Sequence, residues 1–95
     1  MEQSTMQATT QSATASINMP ELRLGSKGEA VRFLQQLLIR YGYYTGSFDA
    51  QFGSRTKQAV EDFQIAYNSS PNPSTVLVID GVVGKNTWRA ISELL

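Results

Sequence analysis

The chain repeats itself at an offset of 31 residues. Asp49, Gly53, Thr56 and Ala59 return as Asp80, Gly84, Thr87 and Ala90, while Phe48, Phe52 and Val60 return in kind as Ile79, Val83 and Ile91. An ungapped match over so many positions predicts two copies of one turn-plus-helix unit, neither able to bury its apolar side alone. Within the unit, an Asp at a turn accepts backbone N–H bonds and closes an Asx-type turn. The Gly four residues on is expected to take a backbone conformation that other residues avoid. The Thr beyond it falls in the first helical turn, where its hydroxyl bonds locally. Folding thus accounts for Asp49 and Asp80. Reading them as the acid and base of a glycoside hydrolase requires two carboxylates facing each other across a cleft, which two turn residues in repeated units need not satisfy.

Three segments of helical period surround this repeat. Ser26 with Glu29 has the capping-box pattern, and behind it Val31, Leu34, Leu38 and Tyr41 form one stripe of a 3.6-residue helix that Gly42 stops. A second helix is expected from about Ser54 to Tyr67, with Thr56, Ala59, Val60, Phe63 and Tyr67 inward. A third is expected from about Lys85 to Leu95, with Trp88, Ile91, Leu94 and Leu95 inward. Helices this short are marginal in isolation and must pack together. The predicted class is all-α, a compact three-helix bundle over 20–95. Residues 42–49 read as an ordered turn and 68–75 as a loop of Pro, Asn and Ser. Val76–Ile79 reads as a short extended segment anchored on the core.

Residues 1–19, rich in Gln, Ser, Thr and Ala with one charge and no aromatic, cannot offset their ordering entropy by burial and are expected to be a disordered tail. They lack the basic and apolar regions of a signal peptide.

Composition narrows the chemistry. There is no cysteine and no histidine, which removes disulfides, thiolate nucleophiles, the usual structural zinc sites, the Ser–His–Asp triad and imidazole bases. No catalytic residue, metal or cofactor is therefore expected. Eight basic side chains balance eight acidic ones, and they are scattered, whereas nucleic-acid binding needs a basic face to neutralise phosphates. A helix-turn-helix reading rests on helix count alone. No apolar run approaches the ~20 residues of a membrane span. A binding module is the class that remains.

The stretch Leu24-Gly25-Ser26-Lys27-Gly28-Glu29-Ala30-Val31-Arg32-Phe33-Leu34-Gln35 resembles the opening of the three-helix peptidoglycan-binding domains attached to bacterial cell-wall hydrolases. The resemblance continues through Gly42-Tyr43, Phe48-Asp49, Phe52-Gly53, Thr56, Ala59-Val60 and Phe63-Gln64, then Asp80 to Gly84, Thr87-Trp88 and Leu94, and so covers 20–95. Three departures stand out: Ala50 where Gly usually follows the first Asp, Lys85 where Pro is common, and a longer loop over 68–75. The resemblance implies non-catalytic binding of peptidoglycan in the cell envelope or periplasm, while the lack of a visible signal peptide leaves a cytoplasmic location open. The alternative is a protein-interaction module that keeps the fold without the wall ligand.

Reading a glycan or stem peptide takes an aromatic or apolar platform and a few directed hydrogen bonds. The candidate ligand residues are Arg23, Gln35, Tyr43, Tyr44, Asp49, Asp80 and Trp88. Tyr43 and Tyr44 sit in a Gly-flanked turn where at least one should be exposed, Tyr43 being the one more often buried. Phe48 and Phe52 read as core. Trp88 lies on an apolar stripe, with its indole N–H free to meet a partner at the edge. Gln35, like Gln64, reads first as a core-edge amide bonded to a loop. Arg23 can pair a stem-peptide carboxylate, although a solvated or salt-bridged arginine is the commoner fate. The expected site is a shallow groove near the first turn and the start of the third helix.

Overall fold

A computed structural model describes residues 19–94 of the chain, so the expected tail over 1–18 and Leu95 lie outside the described residues. Three helices follow in order: α1 (Glu29–Arg40), α2 (Ser54–Asn68) and α3 (Lys85–Ser92). Met19, placed in the tail by composition, is partly buried against the core.

The end of α1 follows from Gly42. Its φ of 85° lets the chain turn back, so that Tyr43 N–H reaches Leu38 O at 2.8 Å and Gly42 N–H reaches Ile39 O at 3.1 Å. This is the Schellman pattern, which satisfies carbonyls the helix would otherwise leave open. The start of α1 departs from expectation. No capping box forms: the N-cap is Gly28, with no side-chain cap. Ser26 is occupied elsewhere, its Oγ accepting Arg23 N–H at 3.1 Å and its N–H donating to Arg23 O at 2.8 Å. The hydroxyl closes a tight turn three residues early, and the helix begins only at Glu29.

Gly53 and Gly84 cap α2 and α3 at the expected positions, but not for the expected reason. Their φ values are −96° and −95°, ordinary extended backbone. The left-handed residues of the two turns are instead Ala50 and Gly81.

The core gathers Val31, Leu34, Leu37 and Leu38 of α1, Ala59, Val60, Phe63 and Tyr67 of α2, and Trp88, Ala90 and Ile91 of α3. Each of the Val, Leu, Ile and Phe side chains among them contributes roughly 1.5–3 kcal/mol by leaving water. Leu94, expected inward, lies past the end of α3 and is exposed. Leu77 alone anchors the 76–79 segment, whose neighbours Val76, Val78 and Ile79 are exposed.

No named strand occurs among the described residues, yet the N-terminal segment runs along both turns. Leu22 pairs with Val83 in both directions at 3.0 and 2.8 Å, and Phe52 N–H meets Ser26 O at 2.8 Å. Phe52 and Val83, equivalent residues of the two units, are thereby fixed under one strap.

Candidate ligand-binding site

Each half of the molecule is organised by one buried glutamine. In the first, Gln35 Nε2 lies 3.2 Å from Asp49 Oδ1, 2.9 Å from Gln51 O and 3.1 Å from Thr56 Oγ1, while Gln35 Oε1 accepts Ala50 N–H at 3.0 Å. In the second, Gln64 Nε2 lies 3.2 Å from Asp80 Oδ1, 3.1 Å from Val82 O and 3.2 Å from Thr87 Oγ1. Gln64 Oε1 accepts the N–H groups of Asp80 and Gly81, both at 3.1 Å. Asp49 and Asp80 close the turns as Asx residues, accepting Gln51 N–H at 3.0 Å and Val82 N–H at 2.9 Å. The Gln51 N–H first, and the Gln35 amide second, hold the Asp49 carboxyl below its ordinary value.

Both glutamines are fully buried. Their hydrogen-bonding capacity is thus used to lock a turn against the start of the next helix. Gln35, a candidate ligand residue by sequence, has its amide committed within the fold.

Three shallow depressions open beside these turns. The largest, about 560 Å³, lies before α3 and takes in Arg23, Leu77, Val78, Asp80 and Lys85. A second of about 270 Å³ lies before α2, with Asp49, Ser54, Arg55 and Thr56 in its wall. A third of about 280 Å³ runs beside it past Tyr43 and Gly46, sharing Tyr44 and Arg55 with the second.

The sequence-derived candidates are thus divided. Arg23 and Asp80 line the depression before α3, and Tyr44 and Asp49 line the one before α2. Tyr44 is nearly all buried, with its hydroxyl donating to Ser47 O. Tyr43 is the half-exposed member of the pair, set edge-on to Phe63 at 5.8 Å. Trp88 is buried, stacked on Phe33 at 6.2 Å, and its indole N–H is taken by Pro20 O at 2.8 Å. Phe48, expected in the core, is exposed, with the Arg32 guanidinium 4.8 Å above its ring.

Sequence reasoning passed over Arg55 and over the wall formed by Leu77 and Val78. The signal for Arg55 was available: a cation in the first turn of a helix opposes the helix dipole and so asks for an explanation.

Comparison with known proteins follows the same lines. Residues 27–91 match the family described as a peptidoglycan binding domain. The Type VI secretion system spike protein VgrG3 of Vibrio cholerae serotype O1 is 41% identical over 78 residues, a match covering 77% of this chain and 8% of that protein. The crystal structure of a Burkholderia AP3 phage endolysin superposes with a TM-score of 0.66 at 37% identity, covering 80% of this chain and 26% of that one. The N-terminal domain of SleB superposes with a TM-score of 0.70 at 29% identity, covering 82% of this chain and 96% of that domain.

Proposed function

Because the chain belongs to the peptidoglycan-binding domain family, we propose that it is a non-catalytic module holding a larger polypeptide on the bacterial cell wall, with the depression before α3 as its ligand site. One observation carries this choice of site. Arg23 and Lys85 meet there beside the apolar wall of Leu77 and Val78. Peptidoglycan presents the complementary mixture, sugar faces and N-acetyl groups beside stem-peptide carboxylates. The Arg23 guanidinium, more than half exposed, pairs with Glu21, itself about half exposed. An exposed pair of this kind is worth little and exchanges readily for a ligand carboxylate.

An open site favours modest affinity, raised on a polymer by effective concentration. The wall places the module in the cell envelope or periplasm. No helix among the described residues is long and apolar enough to cross a membrane, and the zero formal charge supports a partner other than nucleic acid. The family match favours the wall over the rival reading of a protein-interaction module.

Co-sedimentation with isolated sacculi, followed by NMR titration with a soluble muropeptide, tests the reading. The domain is expected to pellet, and Arg23→Ala with Lys85→Ala is expected to weaken binding about tenfold. Failure of the unaltered domain to pellet or to shift would sink it.

A further inference from the structure

The turn between α1 and α2 is pinned along its length. Tyr43 and Tyr44 both donate their backbone N–H to Leu38 O, at 2.8 and 3.2 Å. The buried Tyr44 ring then holds the next residues, its hydroxyl donating to Ser47 O. Gly46 passes so close over that ring that a Cβ there would stand 2.7 Å from Tyr44 Cε1. Tyr43 is set edge-on to Phe63 at 5.8 Å, packs against the core and is still half exposed.

Beside this turn runs a row of polar side chains on α2. Arg55, Gln58 and Asp62 are exposed and lie at i, i+3 and i+7, one line along a helix. All three end in planar groups: guanidinium, carboxamide and carboxylate. Gln58 Nε2 donates to Asp62 Oδ1 at 3.0 Å, a bond that holds two of these groups together and uses neither Gln58 Oε1 nor Asp62 Oδ2. The depression of about 280 Å³ is lined by this row together with Tyr43, Gly46 and the buried Ala59.

These parts suit one class of ligand. Planar polar side chains pair adjacent ring hydroxyls or an amide two bonds at a time, and an aromatic ring covers the C–H face of a sugar. Arg55 and Asp62 cancel in charge, so the depression complements hydroxyl and N-acetyl groups better than it does a carboxylate. In the wall the lactyl carboxyl of the strand is taken up in the amide to the stem, which leaves the strand itself uncharged. The row from Arg55 to Asp62 covers about 10 Å of helix axis, room for two linked sugar rings.

We infer that the depression between the 43–46 turn and α2 is a subsite for the glycan strand of peptidoglycan, with Tyr43 as its platform and Gln58 and Asp62 as its directed hydrogen-bonding groups. Tyr43 thereby serves the ligand as well as the core, and the pinned turn spares binding the cost of ordering a loop. The inference rests on the peptidoglycan reading and goes beyond it by adding a second site, one that needs no stem peptide.

The test is a titration of the 15N-labelled protein with the uncharged tetramer of β-1,4-linked N-acetylglucosamine, which shares the backbone of the strand, and separately with the free stem tetrapeptide. The amides of Gly46, Gln58 and Asp62 are expected to shift with the sugar and not with the peptide. Tyr43→Ala is expected to weaken sugar binding about tenfold, while Tyr43→Phe, which keeps the platform, stays within about twofold. Gln58→Ala, on a helix face that the core does not use, is expected to weaken it about threefold. Sugar binding unchanged in both Tyr43→Ala and Gln58→Ala overturns the subsite, as does pelleting on sacculi with no sugar-dependent shift at these amides. In either case the proposed function stands. Failure to pellet, with silence toward both probes, removes the peptidoglycan reading itself.

Discussion

Ala50 and Gly81 hold the same left-handed backbone at the same place in the two turns, with φ of 62° and 72°. One is an L-residue that pays for the conformation and the other is not. Ala50→Gly is expected to stabilise the domain by about 0.5–1 kcal/mol, the relief of left-handed strain less the added entropy of the unfolded chain. Gly81→Ala is expected to destabilise it by more than about 1 kcal/mol. The new Cβ would also stand 2.7 Å from Lys57 Cγ, so that side chain must move. Urea unfolding of the pair checks both signs, and equal shifts in the same direction would refute the account.

The two buried glutamines do not carry equal burdens. Gln64 accepts two backbone N–H groups where Gln35 accepts one. Gln64→Leu is therefore expected to cost about 3 kcal/mol and Gln35→Leu about 2 kcal/mol, since each buried polar group left unpaired costs about 1–3 kcal/mol. Thermal and urea midpoints rank the two variants, and the reverse order would show that the turns are held by something else.

The helix stripes, and the positions at which α2 and α3 begin, were legible in the sequence because apolar period and the Gly before each helix are local signals. The capping box was not, because Ser26 faces back to Arg23 N–H rather than forward into α1. The two glutamines were legible as amides bonded to loops, but the equivalence of their partners was hidden by register. Gln64 follows Gln35 by 29 residues, whereas Asp80 follows Asp49 by 31, so a search at one fixed offset separates partners that the longer second loop brings back together. The proposed ligand face was half legible. Arg23, Tyr43, Asp49 and Asp80 could be named, but which side of the 43–44 turn faces water depends on how Phe63 and Ser47 receive the two rings. No local pattern reports that.

Asp49 makes the fold sensitive to acid. Its carboxyl is held below the ordinary value of 3.8, first by Gln51 N–H and then by the Gln35 amide. A lowered native value means that the ionised form favours the folded state. The contribution is complete above the unfolded value and is lost as pH falls through the native one. Stability is expected to fall on acidification below about pH 4, and Asp49→Asn is expected to make that fall shallower. An unchanged slope in the variant would remove Asp49 from the acid response.

Asn68 ties the end of α2 to the wall of the depression before α3. Its Nδ2 donates to Leu77 O at 2.9 Å and its Oδ1 accepts Leu77 N–H at 2.8 Å. Asn68→Ala is expected to cost about 1–2 kcal/mol and to speed amide exchange at Leu77. Because Leu77 and Val78 wall the depression before α3, muropeptide binding there is expected to weaken. Unchanged binding would separate the loop from recognition.

The strap over both turns joins segments that lie far apart in the chain. Each glutamine lock closes over a modest stretch, 14 residues from Gln35 to Asp49 and 16 from Gln64 to Asp80. The Trp88 indole and Pro20 O, by contrast, come together from 68 residues apart. Contacts between such distant segments bear the larger closure entropy and slow the search. The two halves are therefore expected to form first, with the N-terminal segment docking across them last. The chain has a single tryptophan, and it makes the contact of longest separation, so its fluorescence is expected to record the completion of folding rather than its onset.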